Sequence, residues 1–182
     1  MSPIKEIVKK LPLIPTLYRK LRYHRMKSKG TEQVFTDIYN KNTWDGQDSY
    51  SGPGSDFEQT QLLIQELPKL FKEFDIKTIL DVPCGDFHWM KEIDLRNIDY
   101  TGGDIVSDLI EVNNEKFGTN GIRFKKMNLI KDQLPEVDLI ICRDCLVHFS
   151  FDDIFVALEN LSLSHTKYLL TTTFTERDKN SD

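Results

Sequence analysis

The chain has 182 residues, 24 of them Lys or Arg and 29 Asp or Glu, for a net charge of −5 at pH 7 with neutral histidine. That length fits one ordinary domain, which buries roughly 70% of its unfolded surface and so builds a core without disulfides or structural metal. Three cysteines, Cys84, Cys142 and Cys145, all beside apolar runs, exclude a disulfide framework and fit a reducing, cytoplasmic compartment, while no apolar run reaches the ~18 residues of a membrane span.

Charge is uneven along the chain. Residues 1–30 hold nine basic groups against one acid, Glu6, so the remainder is strongly acidic. Pro15, then Leu17, Tyr18 and Leu21, with Gly30 beyond, predict a short amphipathic helix with a basic polar face. Two readings stay open for it: peripheral contact with an anionic membrane, where each basic residue contributes about 1 kcal/mol, and packing on the acidic remainder. Nucleic acid is not an expected partner, because the acidic bulk repels phosphates and no basic and aromatic interleaving marks a stacking platform. Pro12 and Pro15 interrupt the short apolar run and argue against a signal peptide. Val34, Phe35, Ile38 and Tyr39 then repeat at helical spacing, and residues 1–43 are read together as a basic helical N-terminal extension.

Residues 44–182 are read as the main domain. Asn42 to Gly54 is rich in Gly, Asn, Asp, Ser and Pro and predicts a loop, within which Trp44 to Ser55 suits either a lid or a plain connector. Ser55 and Glu58 form an S-x-x-E capping box before a helix with Leu63, Leu67, Leu70, Phe71 and Phe74 on its apolar face, which Pro68 should kink or split. Five candidate strands follow: Thr78 to Val82, Tyr100 to Gly103, Ile122 to Met127, Val137 to Cys142, and Tyr168 to Phe174. Helices are expected at Phe87 to Ile93, at Ser107 to Phe117, and from a Ser150 cap through Leu161, with only a turn between the third and fourth strands.

This alternation predicts an α/β fold, a Rossmann-like, doubly wound, mostly parallel sheet with helices on both faces and ligands held outside the carboxyl ends of the strands. Those ends carry Asp81 to Asp86 after strand one, Asp104 after strand two, Asn128 after strand three, and Cys142, Arg143 and Asp144 after strand four. A dinucleotide site wants G-x-G-x-x-G after strand one, whereas this turn has one glycine and two acids. Asp81 and Asp86 repel a pyrophosphate and welcome a cationic group such as an ammonium or sulfonium. Asp104 stands near the ~20-residue spacing at which a second-strand acid reaches ribose hydroxyls. Turn and cap roles remain the alternative for Asp81, Asp104 and, most of all, Asn128.

On these residues the chain resembles the class I S-adenosylmethionine-dependent methyltransferases, and more closely a little-characterised group that combines D-x-P-C-G-D-F (Asp81 to Phe87), R-D-C-L-V-H (Arg143 to His148) and S-G-x-G-S (Ser51 to Ser55). The resemblance covers roughly Trp44 to Phe174. It implies S-adenosylmethionine as cofactor. Asp81, Gly85 and Asp86 would surround its methionine part and Asp104 its ribose; Ile105 would flank the adenine, and Asn128 with the backbone of Leu129 would meet the adenine edge. Pro83, also at the cofactor turn, and Phe87 depart from the class pattern by standing where glycines often occur.

Methyl transfer depends on positioning and, for a hydroxyl acceptor, on a general base. Asp144 and His148, four apart, are the candidate catalytic pair, with His148 as base oriented by Asp144; a turn cap and a packing histidine are the alternative. Arg143 is counted with the cofactor site or, by a bidentate contact, as a clamp on an acidic acceptor. The expected acceptor is a small molecule or a glycan-type compound, and a non-catalytic adenosyl-ligand or membrane-surface module with the same fold is the alternative. Cys142-x-x-Cys145-x-x-His148, with Cys84, has ligand-type residues for zinc, but the segment lies in an apolar run without paired knuckles, so no metal site is expected. The class usually continues beyond strand five, so this domain is expected to lack the closing strand pair, and its last strand is expected to be an edge open to self-association.

Overall fold

The computed structural model of the chain describes residues 30–174, so the basic arm, its expected helix near Pro15 and the last eight residues lie outside the described residues. Among the described residues the α-helices are α1 (Thr31–Asn40), α2 (Phe57–Glu73), α3 (Ser107–Phe117) and α4 (Phe151–Leu163). The strands among the described residues are β1 (Thr78–Asp81), β2 (Asp99–Asp104), β3 (Ile122–Lys126), β4 (Leu139–Cys142) and β5 (Tyr168–Thr171). The strands pair in parallel throughout, in the order β3-β2-β1-β4-β5.

Side chains alternate across the sheet and feed two apolar cores. Ile79 of β1 and Ile141 of β4 join Leu67 and Phe71 of α2 and Ile110 of α3 on one face. Leu80, Ile140 and Cys142 join Ala157 and Leu161 of α4 on the other. All four residues of β4 are buried, as a central parallel strand covered on both faces requires. The chain runs outward from β1 to β3 and then returns to β4 on the other side of β1, which opens a crevice at the carboxyl ends of β1 and β4. Among the described residues, no helix is long and apolar enough to cross a membrane.

Local chemistry moves several expected boundaries. β4 begins at Leu139 because Asp138 caps β1 instead: one carboxylate oxygen accepts from the Lys77 and Thr78 N–H groups and the Thr78 hydroxyl, each at 2.9 Å. Ser150 does cap α4, its Oγ accepting from the Asp153 N–H. Ser55 does not cap α2. It sits in a short 3-10 turn, Pro53–Ser55, and Asp56 occupies the cap position with its carboxylate turned back to the preceding loop. Pro68 lies inside α2 without ending it. Burial of Leu67 and Phe71 on either side outweighs the roughly 3 kcal/mol that an interior proline costs.

Phe87 to Ile93 forms no α-helix, only the 3-10 turn Met90–Glu92. Phe87 takes a left-handed φ of 57°, which stops a helix from starting there. Phe87, Trp89, Met90 and Ile93 are all buried while Lys91 and Glu92 are exposed, so the segment anchors in the core through its apolar residues without forming a regular helix.

Candidate functional site

A cavity of about 440 Å³ opens in the crevice at the strand ends, within the range of roughly 300–1,000 Å³ typical of ligand pockets. All eleven residues singled out from the sequence line it. Two buried carboxylates form its floor. Asp81, the last residue of β1, accepts from the Tyr100 hydroxyl at 2.7 Å. Burial pushes its pKa up to about 7, against the opposing effects of that hydrogen bond and of the Arg143 charge. Asp104, the last residue of β2, accepts from the Gly85 N–H through Oδ2 at 3.2 Å and from the Val106 N–H through Oδ1 at 3.0 Å. Burial again dominates and raises it to about 6.

The β1 turn is built around Gly85, whose φ is +55°. A Cβ there would stand 2.2 Å from Ser51 Oγ, so the position has no room for a side chain. Asn113 of α3 donates to the Gly85 carbonyl at 2.8 Å and fixes the turn from beneath. Phe87, in the place where a glycine was expected, keeps glycine's left-handed backbone and offsets the strain by packing its ring against Tyr100, Phe117 and Phe124.

Asn128 makes an Asx turn: its Oδ1 accepts from the Ile130 N–H at 2.9 Å and its backbone N–H donates to Asp132, which leaves the side-chain NH₂ without a hydrogen-bond partner among the described residues. The aromatic side of the cavity was the part least visible in the sequence. Phe35 and Tyr39 of α1, four apart on one face, line it together with Trp44 and Tyr50 of the loop and Phe149 after β4. Only their helical spacing marked Phe35 and Tyr39, and it did not say what they would cover.

Asp144 and His148 both reach the cavity, but not on one helical face as the four-residue spacing suggested. Asp144 sits in a left-handed turn with φ 47°, and His148 ends the separate 3-10 turn Leu146–His148. The Asp144 carboxylate lies 3.2 Å from Arg143 Nη2, and its N–H donates to Thr172 Oγ1. The His148 ring stacks on Trp44 with centroids 5.1 Å apart and meets Phe35 edge-on. Burial lowers its pKa below the ordinary histidine value, while the Asp144 charge acts in the other direction. Arg143 also donates to the Gly54 carbonyl and to Ser55 Oγ and lies over the Trp89 ring. Among the described residues, no group of three or more His, Cys, Asp or Glu side chains is arranged to hold a metal ion.

Solved structures share this architecture. A S-adenosylmethionine-dependent methyltransferase of Leishmania major superposes with a TM-score of 0.58 at 14% identity, over 73% of this chain and 59% of that one. The N-methyltransferase NodS of Bradyrhizobium japonicum WM9, in complex with S-adenosyl-L-homocysteine, gives 0.57 at 11% identity, over 71% and 66%. The methyltransferase domain of the bacterial protein CtHen1-C gives 0.54 at 12% identity, over 62% and 64%, so this chain spans less than two thirds of that domain. No protein-family model and no curated protein matches the sequence. The fold is that of the class I S-adenosylmethionine-dependent methyltransferases.

Proposed function

We propose that this chain binds S-adenosylmethionine at the ends of β1, β2 and β3 and directs methyl transfer to a small-molecule or glycan-type acceptor held on the aromatic side of the same cavity. The observation that carries this reading is the pair of buried strand-end carboxylates, Asp81 and Asp104, which face the cavity with pKa values raised to about 7 and about 6. Buried acids of this kind are stabilised by a ligand that brings a cation and hydroxyl donors.

The donor set fits that cofactor. Each Asp104 oxygen holds one backbone N–H and keeps further lone-pair capacity, which suits it to a vicinal pair of ribose hydroxyls. Asp81 offers a negative charge at the floor for an ammonium group. Pro83 and Gly85 shape the turn beside it, and Ile105, Leu129 and the free Asn128 NH₂ suit the faces and edge of an adenine. When bound, S-adenosylmethionine supplies a methyl group activated by its sulfonium.

His148 is the base in this reading. Its lowered pKa keeps the imidazole neutral near pH 7, and the Asp144 charge favours the imidazolium that forms when it takes the acceptor's proton. Asp144 acts through its charge, since its carboxylate is paired with Arg143. Arg143 is committed to Gly54, Ser55 and Asp144, and among the described residues no other Arg and no Lys lines the cavity. An uncharged acceptor with a flat face therefore suits the Trp44 and Tyr39 side better than an acidic one.

Transfer of labelled methyl from S-adenosylmethionine into a panel of neutral glycans, phenols and amines tests the proposal. Incorporation is expected with at least one class, falling about 10²- to 10⁴-fold in His148→Ala. A chain that binds the cofactor yet methylates none of the panel would replace the enzyme reading with that of a binding module.

A further inference from the structure

Segment 44–55 crosses the cavity mouth and is laced to the sheet. Asp86 accepts from Ser49 Oγ at 2.9 and 3.0 Å, from the Tyr50 N–H at 2.8 Å and from Ser51 Oγ at 3.2 Å. It also accepts from the His88 N–H at 3.3 Å, and its own N–H donates to Ser51 Oγ at 3.0 Å. An ionised carboxylate has about four acceptor sites, and four donors fill them. Behind the strap, Asp56 accepts from the Gln47, Asp48 and Ser49 N–H groups, and at its far end Arg143 holds the Gly54 carbonyl. Ser49 is only 2% exposed, so its bond to Asp86 is shielded from water. Held this way, the strap lays Trp44 on His148 and Tyr50 beside Tyr39.

We infer that Asp86 is a positioning residue: it fastens the Trp44 to Ser55 strap over the cavity and supports ligand binding through the strap, not by touching the cofactor. This rests on the proposed cofactor reading only for its binding arm. The sequence pattern placed Asp86 against the methionine part of the cofactor, but a carboxylate already filled by loop donors has little left to offer a ligand.

The test uses the full chain labelled with 5-fluorotryptophan, which gives two resonances for the two tryptophans, assigned with Trp44→Phe. Without any ligand, Asp86→Ala is expected to move the Trp44 resonance toward that of the free amino acid while the Trp89 resonance stays in place. Proteolytic cleavage within residues 44–55 should rise about tenfold, the effect of losing charge-assisted hydrogen bonds from the closed state. Ser49→Ala/Ser51→Ala, which leaves the sheet untouched, should reproduce both changes and guards against a folding defect in Asp86→Ala. S-adenosylhomocysteine should bind about five- to tenfold more weakly to each variant, with no further loss when the three substitutions are combined. Weaker binding in Asp86→Ala with an unmoved Trp44 resonance and unchanged cleavage would overturn the inference in favour of direct cofactor contact. If the wild type binds no S-adenosylhomocysteine, the cofactor reading fails, while the resonance and cleavage still decide whether Asp86 holds the strap.

Discussion

The Tyr100 hydroxyl donates to Asp81 at 2.7 Å, tying β2 to the last residue of β1 beneath the cavity floor. Both side chains are buried, so the bond stands in for the water that would otherwise solvate the carboxylate. Tyr100→Phe keeps the ring and removes the donor. The expected result is a stability loss of about 1–3 kcal/mol, as for a buried group left without its partner, and an Asp81 pKa above its present value of about 7, because the lost bond is one of the effects holding it down. Thermal unfolding and a pH titration of cofactor-analogue binding read both changes. A variant that binds with the wild-type pH midpoint would show that Tyr100 does not tune the acid.

The same two floor acids set a pH dependence of stability. Asp81 at about 7 and Asp104 at about 6 lie above the ordinary carboxylate value near 4. Between those values the folded chain binds more protons than the unfolded chain, so stability falls as pH rises. Their contribution is fully present below about pH 4 and is lost by the time pH has passed about 7. Denaturant unfolding at pH 5 and pH 8 should show the wild type losing more stability across that interval than Asp81→Asn. Equal losses in the two proteins would rule out burial of Asp81 as the cause.

Phe87 predicts an inverted substitution order. Its φ of 57° costs any residue with a Cβ about 1–2 kcal/mol, and its buried ring offsets that cost. Phe87→Ala should destabilise by about 3–5 kcal/mol. Phe87→Gly removes the same ring but relieves the backbone, so it should be the more stable of the two by about 1 kcal/mol, net of glycine's greater unfolded-chain entropy. Chemical denaturation of the pair decides it; an alanine variant equal to or better than the glycine one would mean the left-handed turn relaxes.

Two glycines separate fold from site. At Gly102 a Cβ would stand 2.6 Å from the Phe124 ring inside the core, whereas at Gly85 it would stand 2.2 Å from Ser51 Oγ on the strap. Gly102→Ala should lower stability by about 1–3 kcal/mol as overpacking does, with the strap left in place. Gly85→Ala should release the strap and raise cleavage within residues 44–55. Cleavage there that responds equally to both variants would place the strap's hold in the core rather than in the β1 turn.

Much of the fold was legible because parallel strands buried on both faces read as short apolar runs: Leu139 to Cys142 and Thr78 to Leu80 stand out for that reason. Asp81 and Asp104 were legible as acids at strand ends, where an open α/β sheet holds its ligands. The helix wrongly expected at Phe87 to Ile93 reflects a run with helix-like composition whose start at Phe87 is held in a left-handed conformation and whose apolar residues are drawn into the core. The role of Asp86 was not legible, since its partners Ser49 and Ser51 lie 37 and 35 residues earlier, and local pattern carries no trace of a contact at that range. The same holds for α1, whose Phe35 and Tyr39 have a use only once α1 lies across the cavity.

The central claim is that the cavity above Asp81 and Asp104 is a S-adenosylmethionine site, and calorimetric titration with S-adenosylhomocysteine tests it most directly. The account predicts micromolar binding to the wild type and a loss of at least about tenfold in Asp104→Ala, equivalent to roughly 1.4 kcal/mol, with the variant shown by its circular dichroism to be folded. Absence of binding to the folded wild type, or equal binding to the variant, would contradict it.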